Sequence, residues 1–255
     1  MGRVRLGTSG WDYNEWVGRV YPPQGVPDRL RFYAQRFPIV EVNSSFYRLP
    51  KVEVVASWVR RTPAGFRFTA KFPQTITHDQ RLEGSRSELA EFLRVIAPLR
   101  DADRLSAALL QLPPSLRFHE RTVRAFYEML PPDLPVAVEF REPSWLGDDS
   151  FALLREFRLA YVVVDEPTLP VRLEVTAPFS YVRWHGHGRP TWYDYTYRPD
   201  ELTPWVDRLA TLAAQAAEVY GFFNNHFRGD AAVNCDQMRE AAGLPAPAWS
   251  RRLDA

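Results

Sequence analysis

The sequence predicts one α/β domain over residues 1–255, built as a (β/α)8 barrel of the TIM type. Three observations predict this fold. The chain has the usual length for one such barrel, strand-like and helical patterns alternate from end to end, and the strand-like runs number eight. We find no internal repeat, low-complexity tract or linker-like stretch that would mark a domain boundary. A doubly wound open sheet is the structural alternative.

The predicted strands are short runs rich in β-branched and aromatic residues, which favour extended backbone. The sixth strand is nearly all apolar, as is typical of a strand covered on both faces. The eight predicted strands cover residues 4–7, 39–43, 66–72, 105–112, 135–141, 160–165, 179–186 and 218–224.

Helical patterns separate most of the strands, although none is clear between residues 166 and 178. Ser85 and Glu88, three residues apart at the start of an amphipathic run, match the capping-box pattern of a helix N-terminus. The predicted helices cover residues 28–37, 51–61, 85–99, 119–130, 151–157, 199–217 and 230–242.

Composition excludes several broad classes of protein. A net charge of +1, from 32 basic and 31 acidic residues, gives no overall attraction to nucleic acid or anionic membrane, so anion recognition needs a local cluster. No apolar run approaches the roughly 18 residues needed to span a bilayer. The first strand follows the start directly, without a signal region, and Cys235 is the single cysteine. We therefore expect a cytoplasmic protein that lacks intramolecular disulfides and membrane contact.

Polar side chains within the predicted strands concentrate at the C-terminal end of each strand. Burial of an unpaired charge is costly, so this placement needs an explanation. In a barrel these ends surround one mouth, and barrel enzymes keep their chemistry there. The candidates are Glu41, Asn43, Lys71, Gln111, Glu139, Arg141, Asp165, Arg183, His185, Asn224 and His226.

The alternation of strand side chains sharpens this prediction. Successive side chains of a strand point to opposite faces, so Glu139 shares a face with Arg141, and Arg183 shares one with His185. The residues between them are apolar and suit packing against outer helices. We therefore expect an inward-pointing set, which comprises Glu41, Lys71, Glu139, Arg141, Asp165, Arg183 and His185.

Two interpretations of the inward set are open. In one, three basic residues neutralise three acidic residues in a salt-bridge network that closes the top of the barrel. In the other, the set forms a catalytic or ligand-binding site. Three acids, three bases, two histidines and two amides exceed what sealing requires, which favours a site. The network would join Lys71, Arg141 and Arg183 to Glu41, Glu139 and Asp165.

Loops after the last two strands add candidate ligand-binding residues. Barrels frequently bind phosphate at these loops, and the loop after strand seven combines glycines with basic donors. An aromatic run over residues 191–197 is able to stack on a base or sugar, or to pack as a lid on the barrel rim. The glycine pattern is not a nucleotide P-loop, so no nucleotide cofactor is predicted. These candidates are Gly186, His187, Arg189, Trp192, Tyr193, Asn224 and Asn225.

Other chemistries have less support. Three cationic side chains in the same mouth would repel a metal cation, so we predict no metal and no other cofactor, with a divalent metal as the alternative. The carboxylates and imidazoles that would bind it are Glu41, Glu139, Asp165, His185 and His226. His78 and His119 are interpreted as a loop residue and a helix-start residue. Ser9, Ser44 and Ser45 lack a nucleophile-elbow context, and Cys235, near a predicted helix start, lacks a clear partner.

Several motifs in fixed order resemble the YecE-like family, known as domain of unknown function 72. They are GTSGW (7–11), EVNSSFYRLP (41–50), KFP (71–73), QLPP (111–114), VEFR (138–141), SW (144–145), YVRWHG (181–186) and FNNH (223–226), with Gly229 following. The resemblance spans nearly the whole chain, from Gly7 to Asn234. This chain departs from the family pattern at Ser45, where Thr is common, and at Cys235, where Ala is usual.

The resemblance implies a TIM-type barrel but no activity, because the family has no established one. Its fold is similar to that of metal-dependent barrels such as endonuclease IV and xylose isomerase, an analogy that does not fix function. The His-rich ligand set of those enzymes is missing from this sequence.

The leading functional hypothesis is an enzyme that hydrolyses a phosphorylated or otherwise anionic small molecule or nucleotide fragment. Lys71, Arg141, Arg183 and the loop over residues 185–189 would hold the anion. The general base would be Glu139 or Asp165, and the general acid would be His185 or His226. Alternatives are a non-catalytic nucleic-acid-binding protein and a sugar isomerase or epimerase that uses paired carboxylates and Lys71. The sequence leaves the oligomeric state open.

Overall fold

A computed structural model describes residues 1–250 of the chain. The predicted barrel is confirmed: eight parallel strands pair in chain order, and the last pairs with the first, which closes the sheet. Closure excludes the doubly wound alternative. The strands are β1 (Arg3–Ser9), β2 (Ile39–Val42), β3 (Arg67–Lys71), β4 (Leu105–Gln111), β5 (Val136–Glu139), β6 (Ala160–Asp165), β7 (Phe179–Trp184) and β8 (Glu218–Phe223).

Helices surround the barrel and follow the predicted positions to within three residues at each end. The segment over residues 166–178 contains no helix, as expected. One four-residue helix directly after β2 was not predicted. The helices are α1 (Arg29–Arg36), α2 (Ser44–Tyr47), α3 (Val52–Arg61), α4 (Arg86–Asp101), α5 (Glu120–Tyr127), α6 (Asp148–Glu156), α7 (Pro199–Gln215) and α8 (Asp230–Ala241). Among residues 1–250, no helix combines the length and apolar character needed to cross a bilayer.

Helix formation follows local signals in the sequence. In α1 the carboxylate of Asp28 caps the helix by accepting a hydrogen bond from the backbone N–H of Arg31 at 3.0 Å. Leu30, Tyr33 and Ala34 recur at the spacing of one helical face, and all three are buried against the barrel.

Two local expectations were wrong. Ser85 occupies the N-cap of α4, as predicted, but no capping box forms. Its Oγ donates to the Glu83 carbonyl at 3.3 Å, and the Glu88 carboxylate accepts from Gln80 and Ser87. Cys235 does not lie at a helix start. It is buried in the middle of α8, and burial raises the pKa of its thiol well above the ordinary value, which favours an unreactive thiol.

The hydrophobic core lies between the strands and the helices. Outward-facing strand residues are large and apolar, and they pack on the inner faces of the helices. Trp184 stacks on Phe223 at 4.5 Å and meets Trp205 of α7 edge to face at 5.2 Å. On the other side of the barrel, Phe72 packs on Phe92 of α4 at 4.5 Å. Burial of each such side chain contributes roughly 1.5–3 kcal/mol, so this layer, rather than the barrel interior, supplies most of the hydrophobic stabilisation.

Candidate functional site at the barrel mouth

A buried arginine lies at the centre of the barrel. Arg183 of β7 donates from Nη1 to Glu139 Oε2 at 2.6 Å and from Nη2 to Glu41 Oε1 at 2.7 Å. The three side chains are at most 1% exposed. Strands β2, β5 and β7 are not neighbours in the sheet, so these two ion pairs cross the lumen. The alternation of strand side chains correctly predicted that they point inward.

Further hydrogen bonds saturate Glu41. Its Oε1 accepts from Ser9 Oγ at 2.7 Å, and its Oε2 accepts from Tyr181 Oη at 2.6 Å. Burial raises the pKa of Tyr181 well above the ordinary value, so the phenol keeps its proton and donates. The same Oη lies 2.9 Å from the hydroxyl of Thr69. Both carboxylate oxygens of Glu41 are thus engaged within this lower layer of the mouth, which favours a structural role.

Glu139 joins this lower layer to the residues above it. Its Oε1 accepts from Arg141 and lies 3.1 Å from His185 Nε2. Burial by itself would raise the pKa of Glu139, but Arg141 and Arg183 outweigh burial and hold it well below its usual range. A carboxylate that two guanidinium groups keep ionised is a weak proton acceptor.

His185 is sealed inside the same cluster. Its Nδ1 lies 2.9 Å from Asn224 Nδ2, and its Nε2 lies 2.9 Å from Arg141 Nη2 and 3.1 Å from Glu139 Oε1. Burial lowers the pKa of His185 to about 3, and the nearby Arg141 adds to this effect. The imidazole is therefore neutral at physiological pH and has both nitrogens occupied.

Lys71 ends β3 at the upper surface of the cluster. Its Nζ donates to Gln111 Oε1 at 2.6 Å and lies 4.0 Å from the centre of the Phe46 ring. No carboxylate within residues 1–250 forms an ion pair with Lys71, whereas Arg141 and Arg183 are both paired. Burial lowers the pKa of Lys71 to about 7, and the charge of Arg183 contributes.

The charges at the mouth therefore do not cancel. Two carboxylates, Glu41 and Glu139, face two guanidinium groups, Arg141 and Arg183, which leaves this part neutral. The ammonium form of Lys71 adds one uncompensated positive charge. A buried charge without a partner is costly, and Lys71 is the charged group of the mouth that has no counter-charge within residues 1–250.

Asp165 does not belong to this cluster, and its predicted inward orientation was wrong. Its carboxylate accepts from His187 Nε2 at 2.8 Å and from Trp205 Nε1 of α7 at 2.9 Å. Asp165 shares a face of β6 with Tyr161, which packs on Phe151 of α6 at 5.1 Å. Residues of that face point outward, towards the helices. The predicted network of three acids and three bases accordingly lacks one acid.

The loop after β7 is used for packing. The backbone N–H of Gly186 donates to Tyr197 Oη at 2.9 Å, and that of Gly188 donates to the Trp192 carbonyl at 3.2 Å. A Cβ on Gly186 would lie 2.4 Å from the Trp192 carbonyl oxygen. Neither amide is free for a phosphate, and the Arg189 side chain is exposed to solvent. The glycines allow the following segment to fold back over the mouth.

That segment places two aromatic side chains at the rim of the mouth. The Trp192 ring lies 5.7 Å from the Arg141 guanidinium carbon. Tyr193 lies 5.9 Å from the ring of His185 and 5.8 Å from that of His226. Together with Phe46, these half-buried side chains surround the cationic centre with ring faces and edges. The sequence had left stacking on a base or sugar and a packed lid as alternatives. The segment packs on the barrel rim, and stacking on a ligand stays a prediction.

His226 has one ring nitrogen that is free. Its Nδ1 lies 3.1 Å from the backbone carbonyl of Asn224, which can only accept, so Nδ1 carries the proton. No residue within 1–250 forms a hydrogen bond with Nε2, which keeps its lone pair. The half-buried ring stacks on Tyr13 at 4.8 Å. This arrangement fixes the tautomer that a general base requires.

The amides named from the sequence fall into two groups. Asn225 ties the loops together by donating to the Tyr195 carbonyl and to Asn234 Oδ1, both at 2.8 Å. Asn43, by contrast, has a buried Oδ1 without a hydrogen-bond partner in the described chain. It lines a cleft of about 720 Å³ beside the mouth, together with Tyr13 and Tyr47.

The two histidines that were interpreted as lying outside the mouth are both found at helical turns. His119 is the N-cap of α5, as expected, and His78 lies in a single π-helical turn next to Phe46. Within residues 1–250, His, Cys, Asp and Glu form no group of three that could hold a metal ion.

Some residues of the site were missed from the sequence. Tyr181 occupies the inward face of β7 two positions before Arg183, so the same alternation could have identified it. Tyr13 and Phe46 lie in loop or short helical segments, where no periodic pattern indicates which way a side chain points. A count of lysines would have singled out Lys71. Of the 32 basic residues only two are lysines, and the other is the exposed Lys51.

Comparison with known proteins agrees with this architecture. The model of the family described as "Protein of unknown function DUF72" matches residues 5–253. The chain belongs to the DUF72 family. UPF0759 protein YunF of Bacillus subtilis is 30% identical, in an alignment that covers 93% of this chain and 94% of YunF. UPF0759 protein YecE of Escherichia coli is 29% identical, in an alignment that covers 81% of each chain. The resemblance inferred from the sequence motifs is therefore confirmed.

A solved structure supports the fold of this DUF72 member. The crystal structure of a DUF72 family protein from Thermotoga maritima superposes with a TM-score of 0.86 at 34% identity. The superposition covers 93% of this chain and 98% of the other. The family description carries no activity, so function has to be argued from the site itself.

Proposed function

We propose that this protein is an enzyme that acts on an anionic small molecule bound at the mouth of the barrel. One observation carries the proposal: Lys71 adds a positive charge above a network in which all other charges are paired. An anion placed there would supply the missing partner. The surrounding aromatic rim limits access of water, which strengthens such an interaction.

Two donors are available to the anion. Lys71 Nζ uses one hydrogen bond on Gln111, which leaves its other donors free. Arg141 is tied to Glu139 through Nε and Nη2, and its Nη1 has no acceptor among residues 1–250. Charge-assisted hydrogen bonds from both groups suit a carboxylate or a phosphate. Arg183 was predicted as a third donor, but it is buried, and both of its terminal nitrogens donate to carboxylates, which favours a supporting role.

His226 is the best-placed group for proton transfer. Its Nε2 lone pair is free, and the Asn224 carbonyl fixes the tautomer. Glu139 and His185 were candidates for the same task. Glu139 is held ionised by two guanidinium groups, and His185 has both nitrogens occupied, so both fit a supporting role better. Hydrolysis would follow if His226 accepts a proton from water.

A binding assay tests the anion site. Phosphate esters, nucleotides, sugar phosphates and small carboxylates are titrated into the protein by calorimetry, each against a neutral analogue. We expect at least one anion to bind, with affinity reduced about 10- to 100-fold in Lys71→Met, as for loss of one charge-assisted hydrogen bond. Lys51→Met is the matched control, because Lys51 is exposed, and it should bind like the wild type.

Three outcomes would count against the proposal. One is the absence of binding by every anion, and another is equal binding by the Lys71→Met variant. The third is tight binding of oligonucleotides that weakens steeply with salt, which would favour the nucleic-acid alternative.

Catalysis is followed with the ligands that bind. Turnover of a bound ester should be lost in His226→Gln while binding is kept.

A further inference from the structure

We propose that Lys71 is a nucleophile that forms an imine with a carbonyl group of the substrate, and that the substrate class is the small 2-oxo acids. This inference rests on the proposed function, because the carboxylate of the acid would occupy the anion site. It is carried by the position, the partners and the chemical identity of Lys71.

The position of Lys71 suits attack on a bound molecule. The residue is 9% exposed and lies at the upper surface of the mouth, between the ring of Phe46 and the amide of Gln111. Its backbone is fixed, since the carbonyl accepts from Ser45 Oγ at 2.7 Å. Gln111 is fixed in turn by a 2.8 Å hydrogen bond to the Leu112 carbonyl. The amine is therefore held in one place before the substrate arrives.

Lysine at this position is not explained by charge alone. The chain uses arginine at nearly every basic position, including the two others at the mouth, Arg141 and Arg183. Arginine binds carboxylates in a bidentate manner and stays protonated, so it would serve a purely electrostatic role at least as well. Only lysine can release its proton and present a nitrogen lone pair. The one buried lysine of the described chain is thus the one whose chemistry arginine cannot replace.

The surroundings favour the reactive form of the amine. No carboxylate stabilises the ammonium, and burial together with Arg183 lowers its pKa to about 7. A substantial fraction of Lys71 is then neutral at physiological pH, whereas an ordinary lysine is almost entirely protonated. Desolvation and nearby cations activate lysine nucleophiles in this way.

The proposed step balances without a co-reactant. The Nζ lone pair forms a bond to the carbonyl carbon, and the carbonyl π electrons move to the oxygen, which takes up a proton. The carbinolamine then expels this oxygen as water, and the two hydrogens of the neutral amine leave with it. The product is an imine, so nothing is oxidised or reduced. Arg141, through its free Nη1, would hold the carboxylate next to the carbonyl.

Reductive trapping tests this step. The wild-type chain is incubated with pyruvate, 2-oxobutyrate or glyoxylate and sodium cyanoborohydride, and its mass is measured intact and after digestion. We expect an adduct on Lys71, which digestion separates from any adduct on the N-terminal amine of Met1. The two lysines give a built-in control, because the exposed Lys51 should be modified at least about 10-fold more slowly at neutral pH. Lys51→Arg should be trapped like the wild type.

The variants separate this inference from the anion site. Lys71→Arg keeps the charge but cannot form an imine, so it should bind the acids and give no adduct. Circular dichroism confirms that this variant is folded. If wild-type protein binds the 2-oxo acids but none is trapped, or if labelling is equal on both lysines, the imine proposal is overturned and the anion site stands. If no anion binds at all, the proposed function fails as well.

Discussion

Lys71 is the residue at which stability and function conflict. Its amine is buried without a carboxylate partner, and its pKa is lowered from the ordinary 10.5 to about 7. Between these two pH values the unfolded chain carries a proton on this residue that the folded chain lacks, so stability rises with pH across the window. The cost of burying the ammonium is fully present below pH 7.

We predict that Lys71→Met stabilises the protein at pH 6. The gain is on the order of 2–4 kcal/mol, because the loss of the burial cost is offset by the unpaired Gln111 amide. It should shrink as the pH rises towards 10. Urea unfolding at both pH values measures it, with Lys51→Met as the control. A Lys71→Met variant that is less stable than wild type at both pH values would show that the amine is not destabilising.

At the scale of the element, the loop after β7 determines the shape of the mouth. Gly186 has a φ of +88°, and a Cβ there would lie 2.4 Å from the Trp192 carbonyl oxygen and 2.7 Å from Tyr195. Because Gly186 has no side chain, the segment over residues 191–195 can pack closely against it. The loop therefore contributes to the site by positioning Trp192 and Tyr193 rather than by binding a phosphate.

We predict that Gly186→Ala displaces this segment. Backbone strain of about 1–3 kcal/mol adds to the steric clash, so both stability and anion binding should fall. Gly18→Ala separates the two causes, because Gly18 has a similar φ of +91° but open space around its missing Cβ. Thermal unfolding and tryptophan fluorescence report the change. Equal effects from both substitutions would mean that packing of the segment is unimportant.

At the scale of the whole molecule, the ion pairs of Arg183 connect distant parts of the barrel. Glu41 and Arg183 are 142 positions apart in the sequence, and Glu139 bonds to the same guanidinium from a third strand. Buried pairs of this kind stabilise little compared with apolar packing, but removal of one partner leaves an uncompensated charge. The network thus couples the two halves of the chain across the lumen.

We predict that Glu41→Gln destabilises the whole barrel by about 3–5 kcal/mol, because Arg183 then keeps only one carboxylate. The exposed pair of Glu91 and Arg94 provides the control, since Glu91→Gln should have little effect on unfolding. Chemical unfolding followed by circular dichroism measures both variants. Similar stability of the two would show that the central ion pairs do not hold the barrel together.

The barrel and most of the charged residues that face its lumen could be predicted from the sequence. The number of strand-like runs and the alternation along β5 and β7 are local properties, and the alternation identified the pairs Glu139–Arg141 and Arg183–His185. The orientation of Asp165 was not accessible in the same way. Residues 160–164 of β6 are almost uniformly apolar on both faces, so the pattern contains no sign of which face is inward.

The protonation and the hydrogen-bond partners of these residues could be read from the three-dimensional structure alone. Proton affinity depends on the charges and burial that surround a group, and these come from strands far apart in the sequence. The structure pairs Glu139 with two guanidinium groups, occupies both nitrogens of His185 and leaves Lys71 without a carboxylate. It also frees Nε2 of His226. A polar side chain can be located by periodicity, but its partners follow from closure of the barrel.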